Sequence, residues 1–452
     1  MGSTASPGPS LTDFRIDTPS FDIATGVATF RYGLGEQRFV ETLTYPQGGD
    51  AQAAAGRSFE KLLDLTAIVL GLSYFKLLAP ERIAAPGIAL SDDERAFAID
   101  IYENGLGEFY ARNNLHRFGR LQLQAPAETR PAPEAPTLRD RALLPIGGGK
   151  DSLVSVQLLE QAGIDYAPFA VNPRGPIVTS VQTIGRPPVY VTRVLDPEMI
   201  RLSKEPGYLT GHVPSTAINS MIGALAALLF SYDRIVLSNE RSASEGNALH
   251  DGREVNHQYS KSLDFERRIA AILAGATGGK LGYFSLLRPF SEATIARLFA
   301  RETRFDRVFS SCNRNFRYDG HTGPLWCGEC PKCHFVFLIL APVMDKDRLL
   351  GIFGKDLLSE ESNEHSFREL TGLAGQKPWE CVGEIEEAAA CLHVLAERPE
   401  WAHSPIVSKL KPELLAQYGS ARLESALEEL LTPSAEHHLP PELAAKVLGH
   451  AV

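Results

Sequence analysis

A short stretch, Ile146-Gly147-Gly148-Gly149-Lys150-Asp151-Ser152, constrains this chain more than any other. The apolar run Ala142-Leu143-Leu144 leads into it. An amphipathic run carrying Leu153, Val156, Leu159 and Ala162 leads out, stopped by Gly163. That pattern is strand, glycine loop, helix. Glycines let a backbone approach a ligand closely, and the first turn of a helix offers N–H groups to an anion. A plain turn needs neither the Lys nor the Asp-Ser pair that follows. Two familiar phosphate loops are excluded. A Walker A loop requires Gly where Leu144 stands and Ser or Thr where Asp151 stands. A dinucleotide fingerprint requires Gly where Ser152 stands.

From Asp140 the pattern alternates strand and helix. Strands are predicted over 141–146, 165–171, 189–195, 234–238 and 283–287, with helices between them, notably over 214–230. Such alternation implies a parallel sheet with helices on both faces and ligands at the carboxyl ends of its strands. Pro145 is awkward in a central strand and belongs at that strand's end. Upstream, residues 14–45 alternate like a small antiparallel meander, and helices are predicted over 58–74 and 91–114. A stretch from 125 to 136 holds four prolines and reads as a linker. The expected organisation is an N-terminal α+β domain (1–124), a linker (125–137), a catalytic domain (138–350) and a helical C-terminal region (351–452). No chemical motif stands out in the last.

Cys312 is followed, after fourteen intervening residues, by Cys327-Gly-Glu-Cys330-Pro-Lys-Cys333. Four thiolates in this form suit a closed, tetrahedral zinc site. Unrelated buried thiols, or a redox pair at Cys330 and Cys333, are the other readings. Pro331 suits the first turn of a helix starting after Cys330. His334, next to the cluster, is either a further ligand or, as is commoner for its type, an ordinary packed histidine, and Cys381 and Cys391 read as structural.

With 452 residues the chain has room for two or three domains and sizeable cores. A net charge of −10 argues against a broad nucleic-acid footprint. The apolar runs at 221–230 and 335–344 are too short to span a bilayer. The polar, Ser- and Pro-rich start lacks the apolar core of a signal peptide. A cytoplasmic protein without membrane or nucleic-acid partners is expected, and the sequence is silent on oligomeric state.

At Gly148, Gly149, Asp151 and Ser152 the loop resembles that of the ATP pyrophosphatases, the PP-loop family, whose motif reads Ser-Gly-Gly-x-Asp-Ser. Gly147 stands where that family usually has Ser, so the loop must lean on backbone N–H groups and Lys150. The resemblance implies an α/β fold with a PP-loop, adenine nucleotide alpha hydrolase-like parallel sheet. It also implies ATP bound through Gly147, Gly148, Gly149, Lys150, Asp151 and Ser152, with Mg2+ on Asp151. The end of the second strand, at Ala170, Val171 and Asn172, would receive adenine. A loop followed by a cysteine cluster is similar to 7-cyano-7-deazaguanine synthase, but that family is about half this length and lacks a large N-terminal domain.

Three polar stretches lie between loop and cysteines: Gly211 to Asn219, Ser238 to Asn247 and Asn256 to Ser262. Together with the loop, the cysteines and the meander they resemble the UDP-N-acetylmuramoyl-L-alanyl-L-glutamate epimerases of bacterial cell-wall synthesis. What this implies is ATP-dependent inversion of a terminal L-Glu to D-Glu. The α-hydrogen beside a carboxylate is hard to remove, because the carbanion would adjoin a negative charge. Adenylation cancels that charge, and a general base can then act. Lys150 and Asp151 would serve the adenylation. Glu240, Glu245, His212, His257, Tyr259 and Lys261 can each act as acid or base, and residue type does not choose between them. His212, Asn239, Arg241, Asn247 and Tyr259 are candidate substrate contacts. The N-terminal domain would be free to hold the UDP-sugar. Another adenylating enzyme, of nucleobase or tRNA modification, and a non-catalytic nucleotide-binding module are the competing expectations.

Overall fold

The computed structural model describes residues 13–246, 248–316, 323–375, 378, 380 and 382–451. A strand buried on both faces must find backbone partners in other strands. Five strands do so in parallel: Arg139–Pro145, Tyr166–Val171, Val189–Val194, Tyr232–Leu237 and Gly282–Ser285. Side by side they stand third, second, first, fourth, fifth. The order reverses between the first and the fourth, the place beyond the carboxyl ends where sheets of this kind take their ligands. The glycine loop leaves the first strand, and the stretch beginning Ser238-Asn239-Glu240 leaves the fourth. Pro145 is the last residue of its strand, and Ile146 resumes the pairing by donating its N–H to Phe169 O at 2.9 Å.

The sheet continues beyond its parallel half. Gln37–Thr44 pairs antiparallel with Val189–Val194, setting Thr42 opposite Val194. Val27–Leu34, Phe14–Ile16, Arg82–Ala84 and Gln122–Gln124 follow in that order, and Ser20–Asp22 pairs with Val27–Leu34, making eleven strands. The five strands expected to lie parallel do so, and the antiparallel meander, expected in a separate domain, extends the same sheet into a mixed one. The meander covers an edge that would otherwise expose unpaired N–H and C=O groups.

Alternation sorts neighbouring residues into two cores. Leu143, Ile235 and Tyr283 join one; Leu144, Val236 and Phe284 join the other. Helices Arg57–Phe75, Ser215–Leu229 and Leu263–Ala276 contribute to the first. Lys150–Gln161, Glu292–Ala300, Pro331–Leu340 and Ile385–Ala396 contribute to the second. The proline-rich stretch does not divide either core. It is strapped to the helix Arg57–Phe75, with Arg57 Nη1 donating to Pro131 O at 2.6 Å, Ser58 Oγ to Glu134 O at 3.0 Å, and Lys61 Nζ 2.9 Å from Glu128 Oε2. The helix expected over 91–114 is two, Asp92–Glu103 and Gly107–Arg112, the first opened by a Ser91–Glu94 capping box. No helix among the described residues is long and apolar enough to cross a membrane.

Candidate active site

Gly149 is the N-cap of the helix Lys150–Gln161, and no side chain caps that end. The first-turn N–H groups are thus available to an anion. Gly148 has φ +80°, and a Cβ there would fall 2.9 Å from Ile177 N, so only glycine fits. A Cβ on Gly149 would come within 3.3 Å of Ser311 Cβ, whereas one on Gly147 would meet nothing within 4 Å. Ser310 N–H donates to Gly148 O at 2.8 Å, which pins the loop to the segment leading into Cys312. Ser152 Oγ turns back to Gly149 O at 3.1 Å.

Lys150 is buried, and its ammonium pairs with Asp151 and with Glu292, in the first turn of Glu292–Ala300. This departs from a lysine reaching out to phosphate. Burial opposes ionisation of Asp151, yet Lys150, Lys332 and Lys261 hold its carboxyl below the usual range. Burial pushes Glu292 up to about 7, with Asp151 and Glu240 adding to the rise and Lys150 opposing it. One carboxylate oxygen each of Asp151, Glu240 and Glu292 lies within 4.8 Å of the others, a donor set of the hard kind that magnesium takes. Behind them, Glu387 accepts the Ala293 N–H at 2.7 Å, and burial, then Glu292, pushes it up to about 8.

Two of the polar stretches are tied together by a buried arginine. Arg288 Nη1 donates to Glu240 O at 2.6 Å, Nη2 donates to Lys261 O, and Nε donates to Glu266 Oε2 at 3.1 Å. Lys261 Nζ donates to Gln258 Oε1 at 3.0 Å. Beyond Lys261, His257 Nδ1 bonds Glu108 Oε2, and His212 Nδ1 stands 3.8 Å from the same oxygen. The two imidazole rings are 4.6 Å apart. Burial, then His257, pushes His212 down to about 4.

The four cysteine sulfurs lie within 4.8 Å of one another, Cys327 to Cys333 at 3.7 Å and Cys330 to Cys333 at 3.5 Å. A tetrahedron with metal–sulfur bonds of about 2.3 Å has edges of about 3.8 Å, so the set fits zinc. Cys330 is the N-cap of Pro331–Leu340, with Pro331 in its first turn. His334 spends one nitrogen on Ser366 Oγ at 2.7 Å and the other on Gly328 O at 3.2 Å, as a packed histidine does.

Comparison with known proteins decides the family. The profile of the MurL N-terminal domain matches residues 7–286, and that of the MurL C-terminal domain matches residues 308–425. The chain belongs to the MurL family. It is 41% identical over 437 residues to a protein of Micromonospora sp. named UDP-N-acetyl-alpha-D-muramoyl-L-alanyl-L-glutamate epimerase, covering 95% of this chain and 96% of that one. It is 40% identical over 441 residues to a protein of the same name from Xanthomonas oryzae pv. oryzae, covering 97% of each.

Within this MurL chain the predicted residues divide. Gly147, Gly148, Gly149, Lys150, Asp151 and Ser152 form one continuous loop and helix start, with Glu240 beside Asp151. Asn239 is buried at the end of the fourth strand and its carbonyl accepts from Ser285 Oγ at 2.6 Å. Arg241 is 3.4 Å from Glu384. Asn172, at φ +47°, exchanges two 2.8 Å bonds with the Arg193 backbone, so its amide braces the strand ends. Tyr259 turns toward the N-terminal region, donating to Asp100 Oδ2 at 2.5 Å. Asn247 and Cys381 lie outside the described residues. Sequence reading missed Glu108, Arg288, Glu292, Lys332 and Glu387. Ser291-Glu292 carried a signal, an N-cap followed by an acid in the first turn. Glu387 comes from the C-terminal region, where no chemical motif was expected, and packs behind Glu292.

Proposed function

We propose that this chain is an isomerase that inverts the terminal L-Glu of UDP-N-acetylmuramoyl-L-alanyl-L-glutamate to D-Glu, with cleavage of ATP to AMP and pyrophosphate, in cytoplasmic peptidoglycan synthesis. The observation that carries the reading is the 41% identity, over nearly the whole of both chains, to a protein bearing that activity in its name. The loop supports the ATP half. A helix start without a side-chain cap, three glycines and a switch-point position suit a polyphosphate. The PP-loop resemblance assigns that role to Gly147 through Ser152. Asp151, with Glu240 and Glu292 at hand, would hold Mg2+, whose charge eases departure of pyrophosphate. The four cysteines would hold a structural Zn2+.

Activation precedes inversion for an electrostatic reason. A carbanion beside a free carboxylate carries two adjacent negative charges; beside an acyl phosphate ester it is spread into an enolate. The adenylated carboxyl is then released by water as AMP and the inverted dipeptide. Arg241 suits a substrate carboxylate by its forked guanidinium. Incubation with ATP, Mg2+ and the UDP-muramoyl-dipeptide, read for AMP, pyrophosphate and D-Glu, tests the proposal. All three should appear together, and Asp151→Asn should abolish AMP release with an unchanged circular dichroism spectrum. Substrate-dependent AMP with a nucleobase or tRNA, and none with the dipeptide, would overturn it in favour of a nucleic-acid-modifying enzyme.

A further inference from the structure

Glu108, His212 and His257 form a cluster that the ATP chemistry leaves unexplained. Glu108 comes from Gly107–Arg112, His212 from the stretch before Ser215–Leu229, and His257 from the turn before Tyr259–Lys261. Their side chains are 6%, 26% and 15% exposed, so the cluster is largely withdrawn from water yet not sealed. Three cations surround it. Arg112 Nε is 2.5 Å from Glu108 Oε1, and the charges of Lys76 and Lys261 both bear on His212. Such surroundings disfavour a divalent cation on these three ligands and favour a substrate rich in carboxylates.

Buried Arg288 donates both to Glu240 O, beside Asp151 at the glycine loop, and to Lys261 O, four residues after His257. One arginine therefore fixes the stretch that carries His257 to the stretch that carries Glu240, next to the loop where the carboxyl beside Cα would be activated. His212, held neutral by burial, puts no second positive charge against His257.

We propose that His257 is the group that removes the α-hydrogen of the terminal Glu, with Glu108 as its positioning residue; this rests on the adenylation reading above. The Cα–H bond breaks, its proton passes to Nε2 of His257, and its electron pair moves into the bond between Cα and the activated carbonyl carbon. Glu108, accepting from Nδ1–H, fixes the tautomer and steadies the imidazolium. Water delivers a proton to the opposite face of Cα, and the imidazolium's proton passes through solvent to neutralise the hydroxide left behind. Lys261 stands where it can offset the enolate charge.

The test runs the full-length protein in D2O with ATP, Mg2+ and the UDP-muramoyl-dipeptide, reading AMP release, deuterium at Cα and D-Glu separately. His257→Gln should keep substrate-dependent AMP release while deuteration and D-Glu formation fall about 10²- to 10⁴-fold. Added imidazole should restore part of both in His257→Ala. Glu108→Gln should lower kcat for deuteration by about 10²-fold with KM unchanged. Deuteration by His257→Gln at the wild-type rate would overturn the proposal. So would a second metal, beyond that of the cysteines, that is lost on His212→Ala. Wild-type protein that makes D-Glu without AMP would overturn the adenylation reading instead, and His257→Gln would still have to lose deuteration.

Discussion

Lys150 and Glu387 show how a single residue's role depends on neighbours that sequence does not reveal. The motif offers Lys150 to phosphate, but the fold turns its ammonium onto Asp151 and Glu292. The anion binding proposed for the loop would then fall to its backbone N–H groups. Glu387 is the reverse case, an unremarkable acid in sequence that folding buries with one oxygen left without a partner among the described residues. Its carboxyl is pushed up to about 8, above the ordinary glutamate value of 4.5. Between those values the folded chain holds a proton that the unfolded chain has lost. Stability is therefore full below the unfolded value and declines as pH rises through about 8, by up to about 1.4 kcal/mol per pH unit. Glu387→Gln mimics the protonated form and should flatten this decline. Thermal melts at pH 6 and pH 9 should converge in the variant; an unchanged gap would show that another group is responsible.

At the scale of elements, the cysteine turn and the glycine loop are one construction. Ser310, two residues before Cys312, holds Gly148, and Ser311 packs on Gly149. A metal on the four sulfurs would thereby fix one wall of the phosphate site. Metal analysis should find about one zinc per chain, and Cys330→Ser should lose it together with several kcal/mol of stability, on the order expected for structural zinc. ATP-dependent AMP release should fall in parallel; a metal-free variant with wild-type stability would leave the sulfurs as packed thiols. This construction was half legible in sequence. Periodicity marked the strand, the helix and Pro331, because apolar side chains must repeat every second residue in a strand and every third or fourth in a helix. It could not mark the approach of Ser310 to Gly148, a distance of 162 residues in number made 2.8 Å by the fold. Glu108 and His257, 149 residues apart, were invisible as a pair for the same reason. The helix break between Glu103 and Gly107, which creates the short helix carrying Glu108, was also lost in a run that reads as continuous.

For the whole molecule, the continuous sheet makes the N-terminal strands part of the same body as the candidate active site. Helix Arg57–Phe75 shares a core with Ser215–Leu229, and Gln37–Thr44 covers the edge of Val189–Val194. Glu108 adds a functional reason, since it reaches His257 from that same region. A chain begun at residue 138 would expose both an apolar helix face and an open strand edge, two surfaces that drive association. It should therefore be insoluble or aggregate, even though it retains the glycine loop and the four cysteines. Expression of this fragment, followed by size-exclusion chromatography and ATP binding, decides the matter. A monomeric fragment that still binds ATP would mean that the two parts fold separately, and that the meander is an attachment to the catalytic body. Aggregation that co-expression with residues 1–137 reverses would mean that a single folding unit spans both, with Glu108 supplied across the shared core.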